Sequence, residues 1–358
     1  MNLNKVIIFI LFAMCTNLVR GQVWKDKNES NFNLQDFALQ TYTTHEGLPS
    51  KNTTSALRDK RGFMWIGTEN GLCKFDGYSF KSFVNIPGDS TSITSNYINT
   101  IIEDKKGQIW VGTMDGLNLF NPQTEKFKRF YHKDNAGNSL SNNKIWSLLC
   151  DRGGNVWIGT DNGFNQYVES TGSFRVYLPD LKNRFAIKGK SVNAIIEDKQ
   201  GNLWLGNWSS GLDKFDKATR RFINYNQPQA PGQKNPNDVW NLCYGTDGNI
   251  WVATYWKGLF SFNPVNGSFK QLACPDKSNT AAFSVLQTDK NTLLVGGNSG
   301  FFWVDVRNNQ WKKITDLSNY ANGDIYNDQH GIIWLCANDG LTKIDYKEYK
   351  FDWLPLTL

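Results

Sequence analysis

The sequence predicts an all-β protein: a seven-bladed β-propeller with four antiparallel strands in each blade. Three observations carry that expectation. A motif recurs around Trp65, Trp110, Trp157, Trp204, Trp251, Leu294 and Trp334, at spacings of 40–47 residues. Each interval holds four short strand signals, and helical periodicity is absent from all of them.

The repeated unit reads Asp-x-x-Gly-x-apolar-Trp-apolar-Gly-Thr, then Gly-Leu and an aromatic, and is clearest from Asp59 to Phe75. Before it runs an alternating apolar strand, as in Tyr97 to Glu103. The Asp-x-x-Gly stretch is a turn, because Gly accepts positive φ and Asp bonds nearby amides. A second strand carries the Trp, and after a turn ending in Gly a third carries Leu and the aromatic. Pairs such as Phe80-x-x-Phe83, Phe127-x-x-Phe130 and Phe222-x-x-Tyr225 mark the fourth. A four-stranded sheet cannot bury both faces alone, so bulky Trp side chains are expected to fill the wedge between stacked blades. The Gly-Thr and Gly-Leu positions let neighbouring backbones approach. The strand Phe37 to Tyr42 is expected to complete the last blade, with Phe351-x-x-Leu354 extending onward.

The chain has 358 residues, 40% of them hydrophobic and 14% aromatic, enough for a large core. Lys5 followed by the apolar run Val6 to Met14 reads as a secretory signal, too short to span a bilayer comfortably. The expected organisation is a signal peptide over 1–21, a linker over 22–36 and the propeller over 37–358. Cys15 lacks a good lipobox, so cleavage before Gln22 is preferred over lipidation. Removing Lys5 and Arg20 lowers the formal charge from +6 to +4. No run of Lys and Arg suggests nucleic-acid binding. Cys73, Cys150, Cys243, Cys274 and Cys336 remain, an odd number without zinc spacing, and most fall in strands as small buried hydrophobes.

Catalysis finds little support. His45, His132 and His330 are scattered, and Asp59, Asp104, Asp151, Asp198 and Asp328 recur at one structural place, where they serve turns. No metal or other cofactor is expected. The sharper signal lies where the repeat departs from itself. Between second and third strands most blades have short residues, such as Glu69-Asn70 or Asp161-Asn162, whereas blade 4 has Asn207-Trp208-Ser209-Ser210 and blade 5 has Tyr255-Trp256-Lys257. Aromatic faces beside amides and a cation suit sugar rings, so Trp208, Tyr255, Trp256 and Lys257 are the candidate ligand-binding residues. Packing against a neighbouring loop or a partner domain is the competing explanation.

Leu48-Pro49-Ser50-x-Asn52, followed by Asp59-x-x-Gly62-Phe63-Met64-Trp65-Ile66-Gly67-Thr68 and Gly71-Leu72, resembles the two-component regulator propeller family. That resemblance implies a periplasmic sensor region of a hybrid two-component histidine kinase, binding oligosaccharides and controlling glycan-utilisation genes. It also implies a second propeller, an immunoglobulin-like domain, a membrane span and a kinase, none of which this sequence contains. The expectation is therefore a non-enzymatic sensor, as part of a truncated or split receptor. The alternatives are a stand-alone protein-interaction propeller and, more remotely, a polysaccharide-degrading enzyme. The expected partners are an oligosaccharide and the remaining receptor domains or a separate kinase subunit, with a homodimer left open.

Overall fold

A four-stranded sheet repeats seven times in the computed structural model, and the order within each of the first six is simply that of the chain. The structure describes residues 37–346 apart from Leu181, Ala230, Pro231, Ser278, Asn279, Asp316, Ser318, Asn319 and Gln329. The expected signal, its cleavage site, the 22–36 linker and the Phe351–Leu354 strand lie outside the described residues.

Blade 1 is built from Thr53–Arg58, Met64–Thr68, Gly71–Phe75 and Phe80–Phe83. Its first strand runs beside the first strands of blades 2 and 7, and the same relation continues around a closed ring. First strands therefore line the central channel. The ring closes through its ends: Phe37–Tyr42 pairs antiparallel with Gly340–Tyr346 and becomes the outer strand of blade 7. The expected closure by the N-terminal strand is what the chain adopts.

The core is divided among the wedges between blades. Trp65 of blade 1 is fully buried and meets Phe120 of blade 2, with ring centroids 4.9 Å apart. Trp110 meets Tyr167, Trp157 meets Phe215 and Trp204 meets Phe262 in the same way. The turn Asp has a second task beyond the turn itself. Asp59 accepts the Arg61 and Phe63 amides through Oδ1 and the Trp65 indole N–H through Oδ2, each at 3.0 Å. Asp104, Asp151, Asp198 and Asp328 hold their own Trp indoles likewise. Blade 5 has Gly245 at this place, and its Trp251 indole instead donates to Gln287 of blade 6. The Gly of Gly-Thr is needed for close approach: a Cβ at Gly112 would lie 2.6 Å from Ile145 Cγ2 of the next blade.

Six inner strands share one irregularity. Register slips by a residue between Thr53 and Ser55, and at the matching place in blades 2 to 6. A bulge of this kind re-aims the extra residue. Those residues are Thr54, Asn99, Trp146, Asn193, Trp240 and Phe283, and all six line the channel.

An aromatic sector at the channel mouth as candidate functional site

Alternating strand direction puts the Asp-x-x-Gly turns on one face of the ring. The loops between second and third strands share the other face with the connectors that enter each inner strand. Trp208, Tyr255 and Trp256 thus belong to one mouth, and the structure brings them into contact. Trp208 and Tyr255 have ring centroids 5.3 Å apart at 67°, and Tyr255 and Trp256 lie 4.5 Å apart at 78°. All three are half-buried.

The cluster is larger than these loops. Trp240 lies 6.1 Å from Trp208 and 5.6 Å from Tyr255. Trp146 is 6.4 Å from Trp240 on one side, and Phe283 is 6.0 Å away on the other. Phe283 then meets Tyr320 at 5.6 Å. Seven aromatic side chains consequently form one continuous sector across blades 3 to 6. Trp146, Trp240 and Phe283 were missed because sequence reasoning inspected only the loop after the second strand. The signal was present one strand earlier, where the matching residues of blades 1, 2 and 4 are Thr54, Asn99 and Asn193.

Those three polar residues show what the aromatic ones have given up. Thr54 Oγ1 donates to the Ile98 carbonyl at 2.7 Å, Asn99 Nδ2 to that of Ile145 at 2.7 Å and Asn193 Nδ2 to that of Val239 at 2.9 Å. Each clips its blade to the next. Phe283 has no polar atom with which to make such a clip, and the Trp146 indole N–H turns to Asp161 of its own blade at 3.1 Å.

The cations stand at the outer part of this sector. Lys257 Nζ reaches Gln233 Oε1 at 3.4 Å, and its carbonyl accepts the Gln271 amide at 2.7 Å. Lys234, which sequence reasoning did not single out, sits 4.0 Å above the Trp256 ring in a cation–π contact. Beneath Trp208, blade 4 departs again. Its turn begins with Asn207 where blades 1, 2, 3 and 5 have Thr, and Gly189 makes room for the larger side chain. Asn207 donates to buried Asp213 at 2.9 Å, and Asp213 also accepts Asn224 at 3.0 Å. Burial pushes the Asp213 carboxyl up, against the lowering effect of these donors.

The mouth opens into a cavity of about 370 Å³ along the channel axis. Among the described residues no group of His, Cys, Asp and Glu is arranged to hold a metal ion. No helix among them is long and apolar enough to cross a membrane.

Comparison with known proteins agrees with this architecture. Residues 47–70, 92–115, 139–162, 186–209 and 233–256 match the two-component regulator propeller family. Five of the seven repeats thus carry that family's sequence signature. A stretch of 59 residues is 42% identical to histidine kinase P4 of Formosa agariphila, covering 16% of this chain and 4% of that one. The extracellular domain of a hybrid two-component system from B. thetaiotaomicron superposes with a TM-score of 0.73 at 25% identity. That match covers 87% of this chain and 42% of the other, so the chain spans under half of that relative's length. Streptogramin B lyase superposes with a TM-score of 0.66 at 13% identity over 88% of this chain and all of the lyase, a likeness of fold alone.

Proposed function

We propose that the chain is an exported, non-enzymatic sensor propeller that binds a glycan-derived oligosaccharide at the aromatic mouth and passes occupancy to a two-component kinase. The observation that carries this reading is the aromatic sector itself. Seven rings converge where most blades present short polar residues, and in blade 3 the interblade bond that a polar residue at the Trp146 place would make is left to Ser147, whose hydroxyl donates to the Val192 carbonyl at 2.9 Å. Sugar rings offer C–H faces to such surfaces, and their hydroxyls match the flanking Asn, Ser and Asp groups. Likeness to extracellular domains of two-component systems supports export to the periplasm and a role in signalling. On this reading the kinase partner is a receptor domain or a separate subunit, and the regulated genes serve glycan use.

A calorimetric screen of the purified protein against neutral, acidic and amino-oligosaccharides tests the reading. Binding that Trp208→Ala weakens in a folded protein supports it. Failure of every sugar would favour the same surface as a protein-docking site. Turnover of a glycan would replace the sensor with an enzyme.

A further inference from the structure

Below the bulged residues, the next residue of the inner strand borders the same cavity in blades 1 to 5. At this place blades 1 to 6 have Ser55, Thr100, Ser147, Ala194, Asn241 and Ser284, all small or neutral. Blade 7 places Asp324 there. Among the described residues it is the single carboxylate lining the cavity, and no Lys, Arg or His lines it.

Asp324 has one side-chain bond, accepting the Ile325 amide at 2.8 Å. It has no ion pair among the described residues. The residue above it in the strand is Gly323, and a side chain there is excluded because a Cβ would lie 2.5 Å from Cys336 Cβ and 2.6 Å from the Thr53 carbonyl. The Asp324 amide bonds the Thr54 carbonyl at 3.0 Å, which sets the carboxylate beside blade 1. Ser55, 5% exposed, and Asn322 border the same cavity, with the Ser55 hydroxyl turned toward Gly67 of its own blade. Trp146, Trp240 and Phe283 complete the wall. Burial pushes the Asp324 carboxyl up to about 6, so at neutral pH it is mainly a charge without a counter-ion. A half-buried, unpaired charge is costly unless something completes it.

We propose that the channel receives a ligand group carrying a protonated amine, its ammonium on Asp324 and its carbon skeleton against Trp146, Trp240 and Phe283. Aromatic faces and a carboxylate both favour a cation, and an ammonium supplies donors to a carboxylate that accepts only the Ile325 amide. This deepens the sugar reading, on which it rests for the rest of the ligand: the sugar is a free amino sugar, and an acidic group is repelled from the channel.

Calorimetry at pH 7.5 with the β-1,4-linked disaccharide and trisaccharide of glucosamine, their N-acetylated forms and putrescine tests this. The amino sugars should bind at least about tenfold more tightly than the acetylated ones, and Asp324→Asn, with its fold checked by thermal midpoint, should remove that margin. Putrescine, whose amines stay charged throughout, should also lose affinity as pH drops through about 6, as Asp324 protonates. The other titratable groups facing it, the Cys243 and Cys336 thiols, are pushed up by burial and stay neutral throughout, as does the raised Tyr97 phenol across the cavity. If the variant fails to fold, this wild-type pH profile decides. Equal binding of amino and acetylated sugars, unchanged by Asp324→Asn, overturns the amine site and leaves the sugar reading standing. Putrescine binding that needs Asp324, without any sugar binding, keeps the amine site and removes the sugar. No binding by any probe overturns both.

Discussion

Each blade depends on a pair that sequence spacing shows only in part: a turn Asp and a Trp six residues later. The Trp fills the wedge toward the next blade, and the Asp holds its indole N–H, so the turn and the interblade core form together. Trp157, 2% exposed, illustrates the size of the effect. Trp157→Ala should destabilise by about 3–5 kcal/mol, the usual cost of emptying a large aromatic site. A denaturant midpoint within error of wild type would contradict its place in the wedge. Asp151 also anchors an ion network, because Lys217 of blade 4 reaches both Asp151 at 2.9 Å and Glu197 at 2.8 Å. Burial works to raise both carboxyls, yet Lys217 and the other donors outweigh it and the net shift is downward. Carboxyls lowered in the folded state stabilise it above their unfolded values, 3.8 for Asp and 4.5 for Glu, and the contribution fades as pH falls through the lower folded values. Lys217→Met should therefore reduce thermal stability at pH 7 and flatten the decline between about pH 5 and 2. An acid profile parallel to wild type would remove the network from the account.

At the scale of elements, the ring is held shut by a single strand pair joining the two ends of the described chain. Thr41 and Thr342 face each other there, with their hydroxyls 2.9 Å apart. Directly opposed residues on antiparallel strands have the Cα separation that a disulfide needs. A Thr41→Cys, Thr342→Cys variant should oxidise and gain about 2–4 kcal/mol, reversed by reductant. Failure to form the bond, with the free thiols of Cys73 and Cys336 still buried, would argue against this closure. The strand was legible beforehand because Phe37 to Tyr42 carries the pattern of an outer strand and precedes the first full repeat. The bulges were not legible. A bulge adds no residue type of its own, and Thr54, Asn99 and Trp146 share nothing but their position. Each bulged residue stands eleven residues before the Trp or Leu294 of its blade, so the repeat shows that they are equivalent, but only the pairing register shows that they turn into the channel.

For the whole molecule, the fold was legible because propeller physics repeats itself, and seven copies average out the degenerate Leu294 blade. The site was legible only where a loop broke that repetition. Trp208, Tyr255 and Trp256 could be found so, whereas Trp146, Trp240 and Phe283 needed the ring to close before their shared mouth existed. This difference ranks the residues. Trp240 lies within 6.4 Å of Trp146, Trp208, Tyr255 and Phe283, at the centre of the sector, while Trp256 meets Tyr255 alone among the rings and carries Lys234 on its face. Binding energy concentrates in central, well-enclosed aromatic residues. With an oligosaccharide ligand in hand, Trp240→Ala should weaken binding by about 2–4 kcal/mol and Trp208→Ala by about 1–3 kcal/mol, with Trp256→Ala the mildest. Each side chain is half-buried, so stability should fall less than for Trp157→Ala. Calorimetric affinities and thermal midpoints on the same preparations separate the two effects. If Trp256→Ala proves the most damaging while Trp240→Ala binds normally, the ligand sits on the outer rim beside Lys234 and Lys257, and the channel mouth is not its seat.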